Sequence, residues 1–329
     1  MVSNNRFLKV MFLSIVILLI GTFLGISLGA KELSLEVIWK AIWDFDGSLN
    51  HQLVRDLRFP RVLSSIMVGG LLALSGSLMQ GVTRNQMAEP SLLGISQAST
   101  LAISALYLVP SLLTTHTIFS ASFIGAILGG GLVMLFTMSS PLNISLTRLL
   151  LAGMALSTFF ISLSTMIGII SNNSQLIGFL VGGGFRSVNW STFPILICVV
   201  VLGLGFSMVL ASSLNVVSLG DEVSASLGVN PNRIRFCTLT LVIILSAVSV
   251  AVGKNISFVG LIIPQIVMRI LPRDFKYILP CSFICGGILL VFADILARML
   301  LSPYEMPINI FTSLIGIPFF LYLVRKERL

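Results

Sequence analysis

Long apolar runs separated by short polar stretches fill the sequence from end to end. They fall at about 10–29, 62–81, 91–109, 118–138, 149–170, 192–211, 234–252, 258–271, 278–297 and 308–324. Most hold about 20 residues, the length that carries an α-helix across about 30 Å of hydrocarbon. The pattern predicts ten membrane-spanning helices in a single domain over residues 1–329. The first run follows Arg6 and Lys9, is longer than the apolar core of a secretory signal and is not closed by a small-x-small site, so it reads as a retained span. Small residues recur at every fourth position, at Gly21, Gly25 and Gly29 and again at Gly69, Ala73, Ser77 and Gly81. Such rows let helix backbones approach closely.

Two polar segments break the rhythm. Residues 30–60 contain Leu35, Ile38, Trp39, Ile42 and Trp43 at helical spacing, which fits a short interfacial helix with Trp at headgroup level or plain packing. Residues 213–235 contain Leu219-Gly220-Asp221-Glu222, then Ala225, Leu227-Gly228 and Asn230-Pro231-Asn232. Asp221 and Glu222 suit the first turn of a helix and Gly228 its C-terminal cap, so a two-turn helix is expected between two spans.

Composition removes the soluble alternatives. Hydrophobic residues make up 56% of the chain and charged residues 10%, against about 25% charged in ordinary soluble domains. The net charge of +8 arises from basic residues scattered singly at the ends of apolar runs, not from the stripe that a nucleic acid needs. Topology accounts for them: alternating spans from a cytoplasmic N-terminus places twelve Lys and Arg inside and eight outside, five of those eight between residues 31 and 61. Both termini are therefore expected in the cytoplasm. Cys198, Cys237, Cys281 and Cys285 lie in or beside apolar runs and His51 and His116 stand alone, so neither a disulfide nor a metal site is expected.

No Gly-x-x-x-x-Gly-Lys-Ser/Thr loop occurs, so the chain itself holds no P-loop for ATP. Ion-coupled carriers keep acids inside their spans, whereas here Asp294, near an outer end, is the nearest case. A carrier of that kind would answer to removal of Asp294 or Glu305. A membrane scaffold would leave the 213–235 segment idle, and an ATPase docking from the cytoplasm gives it work.

Other segments sharpen the reading: Arg58-Phe59-Pro60-Arg61, Leu74-Ser75-Gly76, Gln80, Arg84-Asn85-Gln86-Met87-Ala88-Glu89-Pro90, Leu93-Gly94 and Leu150-Leu151-Ala152-Gly153. Later come Phe258-Val259-Gly260-Leu261-Ile262-Ile263-Pro264, Ala293-Asp294-Ile295-Leu296-Ala297-Arg298 and Pro318-Phe319-Phe320-Leu321-Tyr322-Leu323. In this order, over essentially the whole chain, they resemble the FecCD permease family, the membrane subunits of iron-siderophore, haem and cobalamin ABC importers.

The resemblance implies an all-α polytopic membrane protein with the type II ABC importer permease fold, in the cytoplasmic membrane of a bacterium. It implies a second permease subunit, two cytoplasmic ATPase subunits that carry ATP and Mg, an extracytoplasmic binding protein or lipoprotein, and no cofactor or catalysis on this chain. The ATPase-coupling residues would be Leu219, Gly220, Asp221, Glu222, Ala225, Leu227 and Gly228. Arg58, Arg61 and Arg298 match positions that receive the acidic lobes of the binding protein; taken alone, Arg58 and Arg61 would instead snorkel and pair with Asp56. Asn85 and Met87 with Leu146 and Thr147 match the cytoplasmic gate, although Asn85 is also an ordinary helix cap. Three departures, Gln97-Ala98, Lys254-Asn255-Ile256-Ser257 and Gln265, favour a heterodimer over two identical copies. The expected cargo is a ferric siderophore of the hydroxamate type, with cobalamin or haem as the alternative.

Overall fold

In a computed structural model, residues 2–29, 31, 33–138, 146–172 and 174–327 are described. Every one of the ten apolar runs becomes a helix, and no strand occurs among the described residues. Helix α1 covers Val2–Ser27, α2 Leu35–Trp43 and α3 Leu49–Gln52, and a π-helical turn at Leu53–Arg58 leads into α4, Phe59–Thr83. After a 3-10 turn at Pro90–Leu93 come α5 (Ile95–Leu106), α6 (Thr115–Met138), α7 (Leu146–Ile170), α8 (Ser174–Gly182) and α9 (Phe193–Val217). The chain closes with α10 (Asp221–Ser226), α11 (Pro231–Gly253), α12 (Val259–Ile270), α13 (Phe275–Met299) and α14 (Ile308–Glu327).

Among the described residues eight helical stretches are long and apolar enough to cross a membrane, whereas α5 and α12 have 12 residues each. The ends follow local chemistry. Asn230 accepts from the Asn232 and Arg233 N–H groups ahead of Pro231, starting α11, and Asp274 accepts from Lys276 N–H to start α13.

The core is built around α4, which packs against α13, α11 and α12. Its small residues make this possible: a β-carbon at Gly69 would lie 2.3 Å from the Gly286 carbonyl oxygen and one at Gly76 only 2.0 Å from that of Gly260. Of the apolar stretch of α4, 83% is buried, against 17% for α9, 22% for α1 and α7 and 28% for α14, so several spans leave apolar faces open.

At one end of the bundle α2 lies across α1, α4 and α13, with Ile38 and Ala41 buried against Ile26, Val62 and Ile295 and with Trp39 and Trp43 exposed. At the other end stands α10. Phe7 meets Tyr277 near the start of α13, and Tyr322 receives the Arg269 guanidinium near the end of α12. Both chain ends thus lie at the α10 end.

Candidate functional site

Helix α10 is fixed by its own loop chemistry. Gly220, at φ +127°, turns the chain off α9, and buried Ser224 donates to the Gly220 and Val216 carbonyls. At the far end Gly228, at φ +78°, donates to Ala225 O at 3.0 Å while Val229 donates to Ser224 O at 2.9 Å, a Schellman closure. Asp221 at the start receives Arg235 in a two-pronged pair at 2.8 and 3.0 Å and also Arg84 from the end of α4. The short helix is thereby tied to two spans at once. Leu219, Val223 and Leu227, spaced four residues apart, remain 65%, 43% and 60% exposed, with Glu222 and Ala225 beside them. The three side chains form a contiguous apolar ridge held at a polar end of the bundle.

Directly beneath, a cavity of about 900 Å³ is lined by Arg84, Asn85, Leu219, Arg269, Arg273 and Leu323. A second cavity, of about 490 Å³, is lined by Met87, Glu89, Gln97, Ser157, Ser257 and Phe320, among others. The 84–87 turn therefore presents Asn85 to one cavity and Met87 to the other. Asn85 Oδ1 accepts from Met87 N–H at 2.7 Å, which pins the turn, and Arg84 takes a left-handed conformation at φ +54°. Helix α7 begins at Leu146, and the side chains of Leu146 and Thr147 lie outside the described residues.

Glu89 carries no role in the sequence reading, yet it is buried and accepts from Phe258 N–H at the start of α12. Burial pushes its carboxyl up to about 7, against the pull of the Phe258 and Ser91 donors. Asn309 Oδ1 accepts from the neighbouring Ser257 N–H at 3.1 Å, and Gln80 Nε2 donates to the Gly260 carbonyl at 3.2 Å while its Oε1 accepts from Gln265. The short helix is thus capped by side chains from three elements. None of these partners is near in sequence.

At the α2 end the arginines expected to face a binding protein turn inward. Arg58 is 5% exposed and donates to the Ile26, Ser27 and Lys31 carbonyls; Arg298, 6% exposed, donates to Gly25 and Leu28 O and pairs with Asp294 at 3.0 Å. Together they cap the carbonyl end of α1, where positive charge is favourable. Arg61 pairs with Asp294 at 2.9 Å and Glu305 at 2.8 Å, not with Asp56, and Arg186 reaches Glu305 at 2.8 Å from the segment after α8. Arg58, Arg61 and Arg298 thus make their hydrogen bonds inside the chain, and the pairing of Arg61 with Asp56 is replaced by Asp294 and Glu305. Arg186, 47% exposed in its side chain, stands further out, beside a cavity of about 450 Å³ that Lys254 and Glu305 also line. Burial pushes the Lys254 ammonium down to about 8.

Known proteins share the sequence pattern and the fold of this chain. A family model described as the FecCD transport family covers residues 17–326. The Iron(3+)-hydroxamate import system permease protein FhuB of Bacillus subtilis (strain 168) is 40% identical over 97% of this chain and 83% of its own length. The Fe(3+)-citrate import system permease protein YfmD of the same organism is 37% identical over 99% and 97%. A solved structure described as an inward-facing conformation of a metal-chelate type ABC transporter superposes with a TM-score of 0.84 at 29% identity, over 97% of this chain and 99% of that one.

Proposed function

The chain belongs to the FecCD transport family, and from that premise we propose that it is the permease subunit of an ATP-driven importer for a ferric siderophore of the hydroxamate type. The observation that carries the reading is the Leu219, Val223 and Leu227 ridge on α10, held against α4 and α11 by the Arg84, Asp221 and Arg235 group. It gives a cytoplasmic ATPase a rigid lever on two spans, one of them the most deeply buried of the bundle. With α10 in the cytoplasm of a bacterium, both termini lie there too, and α2 with its two exposed Trp residues lies at the outer headgroups.

A second permease packs on apolar faces that the spans leave open, those of α7 and α14 among them, a different chain being favoured by the departures at Gln97, Lys254–Ser257 and Gln265. The path then runs between the two subunits and closes at the Asn85 and Met87 turn with the start of α7. A binding protein meets the outer rim, where Arg58, Arg61 and Arg298 act by holding the helix ends that shape it and Arg186 offers the accessible charge. Hydroxamate cargo is supported by the relative at 40% identity, whose name specifies it. Asp294 is fully engaged by arginines, which leaves an ion-coupled carrier without a free acid at that position.

The test is reconstitution with a partner ATPase and binding protein, in vesicles given ⁵⁵Fe as hydroxamate, citrate or haem complexes. ATP-dependent uptake of the hydroxamate complex is expected. Leu219→Asp with Leu227→Asp should abolish co-purification of the ATPase while the permease still inserts. Unchanged co-purification would refute the coupling assignment.

A further inference from the structure

The cavity of about 900 Å³ under α10 carries more positive charge than its own carboxylate balances. Arg84, Arg269 and Arg273 line it against one acid, Asp274. Arg84 is engaged by Asp221, and Asp274 is held by the Asn215 amide at 2.7 Å and by Lys276 N–H at 3.0 Å, where it starts α13. Arg269 and Arg273 have no carboxylate partner among the described residues. Arg269 is nevertheless fixed: its guanidinium lies 5.6 Å from the centre of the Phe319 ring and 5.3 Å from that of Tyr322, so α14 holds it in place. A charge in the last turn of α12 is ordinary. One clamped by two rings of a neighbouring span, with a second guanidinium four residues on, is a set of placed donors short of an anion. Asn85 and Gln86 add amides from the 84–87 turn, and the volume is that of a small-molecule site.

We infer that this cavity binds a phosphate-bearing anion, the headgroup of an anionic phospholipid of the cytoplasmic leaflet, with Arg269 and Arg273 as its ligands. The side of the membrane rests on the importer reading, which puts α10 in the cytoplasm. Basic pockets between spans on that side suit such headgroups. What flanks the cavity favours the lipid over free phosphate. Helix α9 reaches the wall at Asn215 and Val216, and its apolar stretch is the least buried of the eight, at 17%. Phe206 and Val209, further along α9, are exposed, so acyl chains have an apolar surface to lie on beyond the headgroup. Leu219 and the Asp221-bound Arg84 share the wall, so the phosphate sits at the root of α10, between the ends of α4 and α12.

The permease and ATPase complex, purified in detergent, is titrated with phosphatidylglycerol, phosphatidylcholine or inorganic phosphate; native mass spectrometry counts retained lipid and thermal melting follows its effect. Wild type is expected to retain phosphatidylglycerol in preference to phosphatidylcholine and to melt higher with it, inorganic phosphate at the same concentration giving no shift. Arg273→Gln, at an exposed residue, should weaken retention about fivefold, and Arg269→Gln with Arg273→Gln about thirtyfold, about fivefold for each basic group at a headgroup. Lys276→Gln with Arg325→Gln removes as many charges from exposed residues at the same end, outside the cavity, and should leave retention unchanged. Equal losses in the two double variants would mean a diffuse surface attraction and overturn the site. A shift with inorganic phosphate equal to that with the lipid overturns the lipid assignment in favour of free phosphate. Retention by the permease alone that vanishes once the ATPase is bound makes an acidic ATPase segment the occupant and overturns it too. Uptake in vesicles is read separately. ATP-dependent import of an iron chelate with no preference for phosphatidylglycerol sinks this inference and leaves the importer reading standing, whereas selective retention without any such import sinks the importer reading and the leaflet with it, not the binding.

Discussion

Asp294→Ala removes a carboxylate that two largely buried guanidiniums share. The Asp294 side chain is 1% exposed, that of Arg298 6% and that of Arg61 13%. Arg61 keeps Glu305 at 2.8 Å, but Arg298 is left with backbone carbonyls and with Arg58 close by, itself buried and without a carboxylate within pairing distance among the described residues. Breaking one partner out of a buried ion pair costs about 3–5 kcal/mol, mostly the penalty of the charge left behind. Against a total stability of about 5–15 kcal/mol this is a large fraction. At about 2 °C per kcal/mol for a chain of this size, the melting midpoint should fall by about 6–10 °C. Thermal melting of the detergent-solubilised protein, followed by fluorescence-detected size exclusion, measures it. Asp294→Asn combined with Arg298→Gln removes both charges and should recover at least half of the loss, because the pair then leaves no newly uncompensated ion behind. A midpoint within 2 °C of wild type for Asp294→Ala, or a double variant no better than the single one, would show that this cluster does not hold together the ends of α1, α4 and α13 that meet beside α2.

Three further outcomes are expected. Gly220→Val and Gly228→Val place a β-branched residue at positive φ with no steric obstacle nearby, so each should cost about 1–2 kcal/mol of local strain and lower uptake per ATP hydrolysed, read from paired transport and ATPase rates in vesicles. Gly76→Ala drives a methyl onto the Gly260 carbonyl and should cost about 3 kcal/mol or more, seen as loss of monodisperse protein, whereas Gly131→Ala, with nothing within 4 Å, should be neutral or stabilising. Lys254 gives a pH dependence: its proton leaves near pH 8 in the folded chain and near 10.5 in the unfolded one, so the unfolded state binds more protons between those values and stability rises with pH across that window. Lys254→Met should remove this slope and raise the midpoint at pH 7, by up to about 3 kcal/mol in stability.

The helices were legible because the bilayer imposes one rule on all of them, a long apolar run. The α2 helix and the capped α10 turn were legible for the same kind of reason: Trp39 with Trp43, and Asp221 with Gly228, are local signals. Helix α8 escaped because Ser174–Gly182 is short and lies between glycines and polar residues. What escaped altogether was long-range. Arg61 meets Asp294 and Glu305 across more than 230 positions, and Glu89 meets Phe258 across 169. Charge pattern alone offered Asp56 as the nearer partner for Arg61, and only packing of α4 on α13 decides otherwise. The cavity beneath α10 is equally invisible in one dimension, since its wall is drawn from four separate segments.

The two twelve-residue helices also constrain how the protein is made. At 1.5 Å per residue each rises about 18 Å, little more than half of the hydrocarbon thickness, so neither can settle in lipid alone as it leaves the insertion machinery. Their ends expose main-chain donors and acceptors that lipid cannot satisfy, and the groups that do satisfy those of α12, on Gln80, Glu89 and Asn309, come from both earlier and later in the chain. Residue 257, at the start of α12, must therefore wait for residue 309 to be synthesised before its N–H is satisfied. The nascent chain crosses a stage in which α4 is already inserted while the element it will hold most closely is still unsettled, and a translation pause or a membrane chaperone acting between α11 and α14 would act at the most vulnerable step of assembly.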